Sequence, residues 1–126
     1  MIKTICRMGL GLGLTLAAVP AMAGGDAAAG ARSFSMKCGV CHTTNGDKLK
    51  IGPTMAGIMG RKAGTVAATT TLSDALLNGG ITWDQDIMRR FLANPRQALP
   101  GNKMAFTGIK DPQELDNLVA YLMTLK

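Results

Sequence analysis

The sequence has 126 residues and a formal net charge of +6, with 14 Lys and Arg against 8 Asp and Glu. This length allows one small domain, and aromatic residues make up only 4% of the chain, so its own side chains fill a modest core. The basic residues are scattered, with no dense Lys/Arg block and no basic run interleaved with aromatics. This excludes nucleic acid as the preferred partner and favours an acidic protein surface.

The first 23 residues have the pattern of a secretory signal peptide. Lys3 and Arg7 precede an apolar run at 8–19, and the Ala-Met-Ala that follows has small residues at the two positions that a signal peptidase recognises. The run is shorter than the about 20 residues that a membrane span needs. We therefore expect residues 1–23 to be a cleaved signal peptide, residues 24–126 to be the mature domain, and the protein to be periplasmic. The mature domain carries a charge of +4, with 12 basic against 8 acidic residues.

A helix is predicted at the start of the mature domain. Asp26 is its N-cap, and Gly30, Phe34 and Cys38 share one face because they recur every four residues. The helix ends at a pair of cysteines. From residue 43 to residue 71 the sequence is rich in Gly, Thr, Lys and Pro and has no sustained period, which predicts a loop with at most one helical turn and no strand.

A second helix is predicted in the segment WDQDIMRRFLA. Thr82 and Gln85 form a capping box at its start, and Asn94 followed by Pro95 ends it. The next stretch, NPRQALPGNKMAFTGIK, is predicted to be a loop because proline and glycine interrupt it.

A third helix is predicted at the end of the chain. Asp111 is its N-cap, Pro112 takes the first helical position, and Glu114 completes the capping pattern. Apolar residues follow at helical spacing: Leu115, Leu118, Val119, Leu122 and Met123. The sequence has no pattern typical of strands and therefore predicts an all-α domain. Its long loops are expected to enclose a bound group.

The segment CGVCH contains Cys38, Cys41 and the only histidine of the chain, His42. A structural zinc site needs four Cys or His ligands, and the mature domain has only these three. A thiol oxidoreductase places its Cys-x-x-Cys at the start of a helix, not at the end of one. A disulfide would close too short a loop to add much stability. Covalent haem c uses all three groups, because the thiols bond to the vinyl groups and the imidazole binds the iron.

The second axial ligand of the iron is then a methionine, a weaker ligand such as lysine, or absent, because the chain has no other histidine. Met55, Met59 and Met104 lie in predicted loops, whereas Met88 lies on a predicted helix, where methionine usually fills the core. Met104 is favoured because the Pro-Gly turn before it can fold the chain over the opposite face of the haem. Core packing remains the alternative for this residue.

Four segments closely resemble class I cytochromes c in order and spacing, in particular the mitochondrial-like bacterial branch: CGVCH, GPTMAGIMGRKAG, GGITWDQDIMRRFLANP and PGNKMAFTGIK. The match runs from Gly30 to Leu122. The resemblance implies the small class I cytochrome c fold, all-α, with one covalently bound haem wrapped by long loops. It also implies that the N- and C-terminal helices cross, with Gly30 and Phe34 against Leu118 and Tyr121.

The resemblance also implies roles for individual residues. His42 and Met104 are the implied iron ligands, and the carbonyl of Pro53 accepts a hydrogen bond from the other ring nitrogen of the histidine. Trp83 matches a tryptophan that donates to a haem propionate, and Arg61 matches an arginine near it.

The sequence departs from the family at four positions near the haem. Leu72 stands where a tyrosine is frequent, Leu76 where an asparagine is common, Phe91 in place of a tyrosine and Asn102 in place of a threonine. These changes leave fewer polar side chains around the haem. The redox potential of this chain therefore cannot be inferred from that of the family.

The resemblance implies a soluble, monomeric, single-haem electron carrier of the periplasm and not an enzyme. The alternative is a haem-based catalyst or ligand sensor with a labile sixth iron position, which requires that Met104 does not bind. The expected partners have acidic docking surfaces: a quinol-oxidising complex, a terminal oxidase, a dehydrogenase or a photosynthetic reaction centre. A ring of basic residues around the haem edge would dock them: Lys37, Lys50, Arg96, Lys103 and Lys110.

Overall fold

The computed structural model describes residues 24–126, so the signal peptide predicted for residues 1–23 lies outside the described residues. Five helices occur in chain order: α1 (Ala27–Lys37), α2 (Asp74–Asn78), α3 (Gln85–Ala93), α4 (Pro95–Ala98) and α5 (Pro112–Thr124). The described residues form no strand, and one isolated antiparallel bridge joins Lys62 to Thr82. The all-α prediction is confirmed. None of the helices in residues 24–126 has the length and apolarity needed to cross a membrane.

The caps of the two terminal helices agree with the sequence. Asp26 accepts hydrogen bonds from the N–H groups of Ala28 and Ala29, at 2.8 Å and 3.2 Å. Asp111 accepts from the N–H of Gln113 at 3.1 Å, with Pro112 in the first helical position. These side chains satisfy N–H groups that have no partner inside the helix.

The capping role predicted for Glu114 is wrong. Its carboxylate accepts a hydrogen bond from the hydroxyl of Ser33 at 2.6 Å and forms an ion pair with Lys37 at 2.8 Å. Both partners lie on α1, so this side chain ties α5 to α1. The hydrogen bonds from Lys37 and Ser33 lower the pKa of Glu114, which keeps it ionised.

The capping box predicted at Thr82 is also wrong, because α3 begins later. The carboxylate of Asp84 accepts from the N–H of Ile87 at 2.7 Å and is the actual N-cap. Thr82 instead pairs with Lys62, and the N–H of the next residue, Trp83, donates to the carbonyl of Arg61 at 3.0 Å. This pairing keeps the backbone extended at a position where a helix would otherwise start.

Two short helices were not predicted. The segment after Asn94 was expected to be a loop, but it forms α4, where the Asn94 side chain accepts from the N–H of Gln97 at 3.3 Å and Pro95 takes the first position. The helix α2 follows Ser73, whose hydroxyl accepts from the N–H of Leu76 at 3.3 Å. The end of α3 at Ala93 agrees with the prediction.

The terminal helices α1 and α5 cross at Gly30, as predicted. A Cβ atom at this position would lie 1.9 Å from the carbonyl oxygen of Asn117 and 2.8 Å from the Cβ of Tyr121. The rings of Phe34 and Tyr121 pack with their centroids 5.6 Å apart, and Leu118 is 0% exposed. The glycine therefore allows the two backbones to approach closely enough to bury these side chains.

We expect Gly30→Ala to lower the free energy of unfolding by about 2 kcal/mol, because the new methyl group overlaps a backbone carbonyl and forces the helices apart. Urea denaturation of the haem-bound protein measures this change. The control is Gly24→Ala, since no atom lies within 4 Å of a Cβ built there. Equal free energies of unfolding for the two variants would contradict the close packing at Gly30.

Candidate functional site

A cavity of about 280 Å³ lies between α1, α3, α5 and the long loops. Its wall is mainly apolar, and α3 and α5 supply Phe91, Leu92, Leu118 and Leu122. All seven residues that the sequence and the resemblance assign to the site lie on this wall: Cys38, Cys41, His42, Pro53, Arg61, Trp83 and Met104. The fold thus brings together residues that are up to 66 positions apart in the chain.

The two thiols and the imidazole come from one tight turn at the end of α1. Cys38 is the C-cap of the helix, and its carbonyl accepts from the N–H groups of Cys41 and His42 at 3.0 Å and 2.9 Å. Both thiols are free and half-buried. Burial raises the pKa of the Cys38 thiol to about 11, which suppresses the thiolate that a thiol oxidoreductase needs.

His42 is held by the backbone of the loop that follows it. Its Nδ1 atom lies 2.8 Å from the carbonyl oxygen of Pro53. A carbonyl only accepts hydrogen bonds, so Nδ1 carries the proton and Nε2 keeps its lone pair. Burial lowers the pKa of His42, and the charge of Lys50 acts in the same direction against the opposing effect of the Pro53 hydrogen bond. The imidazole is therefore neutral and able to bind a metal ion.

The segment after Pro53 is anchored at both ends. The single hydroxyl proton of Thr54 is shared between the carbonyls of Thr43 and Asn45, at 3.2 Å and 3.1 Å. The guanidinium of Arg61 donates to the carbonyls of Ala56 and Thr54, at 2.9 Å and 2.6 Å. These bonds fix the backbone that presents the Pro53 carbonyl to the histidine. The sequence analysis missed Thr54, because its partners are carbonyls that no local pattern reveals.

Trp83 packs edgewise against Phe91, with ring centroids 5.0 Å apart, and is only 6% exposed. No hydrogen bond from its indole N–H is found within residues 24–126, and no fully buried side-chain N or O atom in this range lacks a partner, so this N–H is not sealed inside the protein. A tryptophan that is buried to this extent normally finds a hydrogen-bond partner. Its free N–H on the cavity wall therefore suits an acceptor that belongs to a bound group.

Three methionines line the cavity, two from predicted loops and one from a helix. Met104 and Met55 come from loops, and Met88 comes from α3 and is 4% exposed. Met59, the remaining loop candidate, packs against the core away from the cavity wall. Met88 was set aside as core packing, and it does belong to the core, but it also reaches the wall.

Three of the four departures from the family pattern also lie on the wall: Leu72, Leu76 and Phe91. Each is apolar, so these three side chains offer no hydrogen bond to a group in the cavity. The fourth, Asn102, lies two residues before Met104 and is half-buried.

The family model for cytochrome c matches residues 27–126. The chain belongs to the cytochrome c family. It is 39% identical over 117 residues to cytochrome c2 of Blastochloris viridis, covering 92% of this chain and 91% of the relative. Cytochrome c2 of Rhodoplanes tepidamans is 47% identical over 98 residues, 77% of this chain and 90% of the relative.

A solved structure, cytochrome cH from Methylobacterium extorquens, has a TM-score of 0.71 and 47% identity, covering 79% of this chain and 99% of the other. These matches confirm the class I cytochrome c fold. Proteins of this family carry one haem c, attached through a Cys-x-x-Cys motif that Cys38 and Cys41 supply here. The protein is a haem electron-transfer protein, as its relatives are, and not an enzyme.

The residues on the wall fit such a group. The apolar lining suits a porphyrin, and the two thiols come from one turn beside it. The free lone pair of the His42 Nε2 atom suits the iron, and the unsatisfied indole N–H of Trp83 suits a haem carboxylate.

The ring of His42 lies directly over Gly52. A Cβ atom built on this glycine would lie 2.2 Å from Cε1 and 2.6 Å from Nδ1 of the imidazole. We expect Gly52→Ala to displace the ring and to lower the free energy of unfolding of the haem-bound protein by about 1–3 kcal/mol, measured in urea. Gly46→Ala is the matched control, because its nearest neighbour is the Cβ of Ala56 at 3.9 Å. If the Gly52 variant were as stable as this control, the contact with His42 would be refuted.

Proposed function

We propose that the protein is a periplasmic electron carrier whose haem iron would be held by His42 and Met104. Haem c, when bound, supplies an iron that gains and loses one electron. The observation that carries the proposal is the 2.8 Å contact between Nδ1 of His42 and the Pro53 carbonyl, in a cavity that Met104 also lines.

The Pro53 carbonyl has two effects on the histidine. It holds the proton on Nδ1 and fixes the plane of the ring, so that Nε2 is available for the iron without rearrangement. The hydrogen bond from Nδ1 to a backbone acceptor also raises the basicity of Nε2, the nitrogen that would bind the metal. Because the anchors of Thr54 and Arg61 hold this carbonyl in place, the ligand stays fixed when the charge of the site changes.

Met104 is the proposed second ligand because it joins His42 on the wall of the same cavity and follows the Pro-Gly turn at 100–101. A thioether opposite an imidazole raises the reduction potential. An iron held by both side chains would have no position open to a substrate. This favours an electron carrier over the alternative, a haem-based catalyst or ligand sensor.

Trp83 and Arg61 are proposed to face the haem carboxylates. The indole N–H of Trp83 is a donor that the described residues leave unpaired, and the guanidinium of Arg61 brings a positive charge to the same wall. A donor and a cation together stabilise ionised carboxylates in a largely apolar cavity.

Voltammetry of the purified protein tests the proposed function. We expect one reversible one-electron wave and no catalytic current when hydrogen peroxide is added. A catalytic current with peroxide in the wild-type protein would support the catalyst with an open iron position and would overturn the proposal.

Support for the periplasmic location comes from residues 1–23, with their basic start, apolar run and Ala-Met-Ala end. Sequencing the N-terminus of the protein from a periplasmic extract tests this. A mature chain that begins at Gly24 is the expected result, and a chain that keeps Lys3 and Arg7 would contradict it.

The proposed partners are redox proteins with acidic surfaces, and the similarity to cytochromes c2 supports this class of partner. Among the five cations expected around the haem edge, Lys37 is paired with Glu114, which offsets its charge. The ammonium groups of Lys50 and Lys110 donate to backbone carbonyls and keep their charge. We therefore assign most of the steering charge to four residues: Lys50, Arg96, Lys103 and Lys110.

Lys103 is the sharpest test of this surface because it is exposed and also borders the cavity. We expect Lys103→Glu to slow oxidation of the reduced protein by the anion hexacyanoferrate(III) on the order of three- to tenfold at low ionic strength, with less effect in salt. Lys62→Glu changes the charge equally at an exposed lysine that is not on the cavity wall. Equal slowing in both variants would mean that net charge, and not this surface, steers the reaction.

A further inference from the structure

The side-chain amide of Asn102 is fully used in holding the segment that carries Met104. Its Nδ2 atom donates to the carbonyl of Pro95 at 2.7 Å and to the carbonyl of Leu99 at 2.8 Å. Its Oδ1 atom accepts from the backbone N–H of Met104 at 3.1 Å. One side chain therefore connects the backbone of the proposed iron ligand to α4.

The two carbonyls already accept one backbone hydrogen bond each, Pro95 from the N–H of Leu99 at 3.0 Å and Leu99 from the N–H of Asn102 at 3.1 Å. The helix α4 has only four residues, and its C-cap is Leu99. The next residue, Pro100, has no N–H to offer, and Gly101 turns the chain away with φ of +87°. The amide of Asn102 adds a second donor to each of these carbonyls, at the first residue of α4 and at its C-cap.

We propose that Asn102 is a positioning residue that keeps the sulfur of Met104 on the iron; this rests on the proposed ligation by Met104. Without the amide, the N–H of Met104 and the two carbonyls of α4 lose a partner. The segment 100–104 then takes up more conformations, and the sulfur dissociates from the iron more often. The threonine that is usual here in the family has a single hydroxyl, which cannot make all three bonds at once.

Imidazole binding to the oxidised protein tests the proposal, because imidazole replaces the sulfur on the iron and binds more tightly when the sulfur is held less firmly. We expect Asn102→Ala to bind imidazole roughly tenfold more tightly than the wild type, since the loss of one such hydrogen bond changes an equilibrium constant about two- to tenfold. The absorption band in the far red that reports sulfur bound to ferric haem should weaken in parallel.

The matched control is Asn94→Ala, which removes an asparagine at the other end of α4. Its side chain accepts from the N–H of Gln97 and makes no bond to the segment 100–104. We expect this variant to bind imidazole as the wild type does. Equal imidazole affinities for the Asn102 and Asn94 variants would overturn the proposal, because a general loss of stability in α4 would then explain the effect.

A second variant covers the case in which Asn102→Ala does not accumulate as folded protein. Asn102→Asp keeps the shape and the acceptor for the Met104 N–H but loses both donors, and it should also bind imidazole more tightly than the wild type. Wild-type affinity in this variant would overturn the positioning role. A wild-type protein that lacks the far-red band would instead overturn the ligation by Met104, so the two failures are distinguishable.

Discussion

Met104→Ala should abolish the far-red band of the oxidised protein and lower the reduction potential by a sizeable share of the roughly 0.8 V range that axial ligands span. Removing the thioether leaves one axial position to water or to an added ligand, and the ferrous state loses the ligand that favours it. The variant should also bind external ligands such as imidazole more tightly, because the thioether no longer competes with them. A spectroelectrochemical titration measures the band and the potential in one experiment.

Two other methionines on the cavity wall provide control variants for this prediction. Met55 and Met88 line the same wall, so Met55→Ala and Met88→Leu remove a sulfur from the cavity and leave Met104 in place. Both variants should keep the far-red band. If one of them loses the band and Met104→Ala retains it, the ligand is the other methionine and the assignment to Met104 is wrong.

The haem-free protein should not fold cooperatively. Without haem, the apolar wall faces an empty cavity of about 280 Å³, which at about 24 cal/mol per Å³ costs on the order of 7 kcal/mol. A domain of this size has about 5–15 kcal/mol of total stability, so the cost is comparable to the whole. The double variant Cys38→Ala, Cys41→Ala prevents covalent attachment, and we expect it to lose its near-ultraviolet circular dichroism.

The control for this loss is the haem-bound wild type, denatured in urea under the same conditions. It should unfold in one sharp transition, whereas the haem-free double variant should show a shallow transition or none. A haem-free protein that unfolds with the same midpoint and slope as the wild type would show that the side chains form a sufficient core alone.

The terminal helices and the haem motif could be predicted because their signals are local. The caps at Asp26 and Asp111 bond N–H groups within the next three residues, so they can be read from the sequence alone. The groups of CGVCH are also local, since one turn after α1 brings Cys38, Cys41 and His42 together.

The features that the sequence did not predict depend on contacts between distant segments. Thr82 has the local features of a cap, but its pairing with Lys62 keeps the chain extended there. Glu114 fits a capping box, yet its partners Ser33 and Lys37 lie 81 and 77 residues away. An ion pair and a hydrogen bond from a buried hydroxyl stabilise this carboxylate more strongly than a hydrogen bond from the local backbone N–H would.

Local sequence patterns do not identify which methionine is the second iron ligand. Met55 and Met59 lie in the same predicted loop, but only Met55 reaches the cavity, together with Met88 and Met104. Periodicity cannot separate them, because loop geometry and not helical spacing determines which sulfur reaches the wall. The resemblance favours Met104, and the bonds of Asn102 add an observation that supports this assignment.

The absorption spectrum of the purified wild-type protein, oxidised and then reduced, tests directly whether His42 and Met104 hold the iron of a covalent haem. We expect one covalently bound haem per chain, a far-red band in the oxidised spectrum, and a sharp reduced spectrum that does not change when imidazole is added at low concentration. A covalent haem without the far-red band would contradict the ligation by Met104, because the iron would then have a ligand other than methionine or an open position.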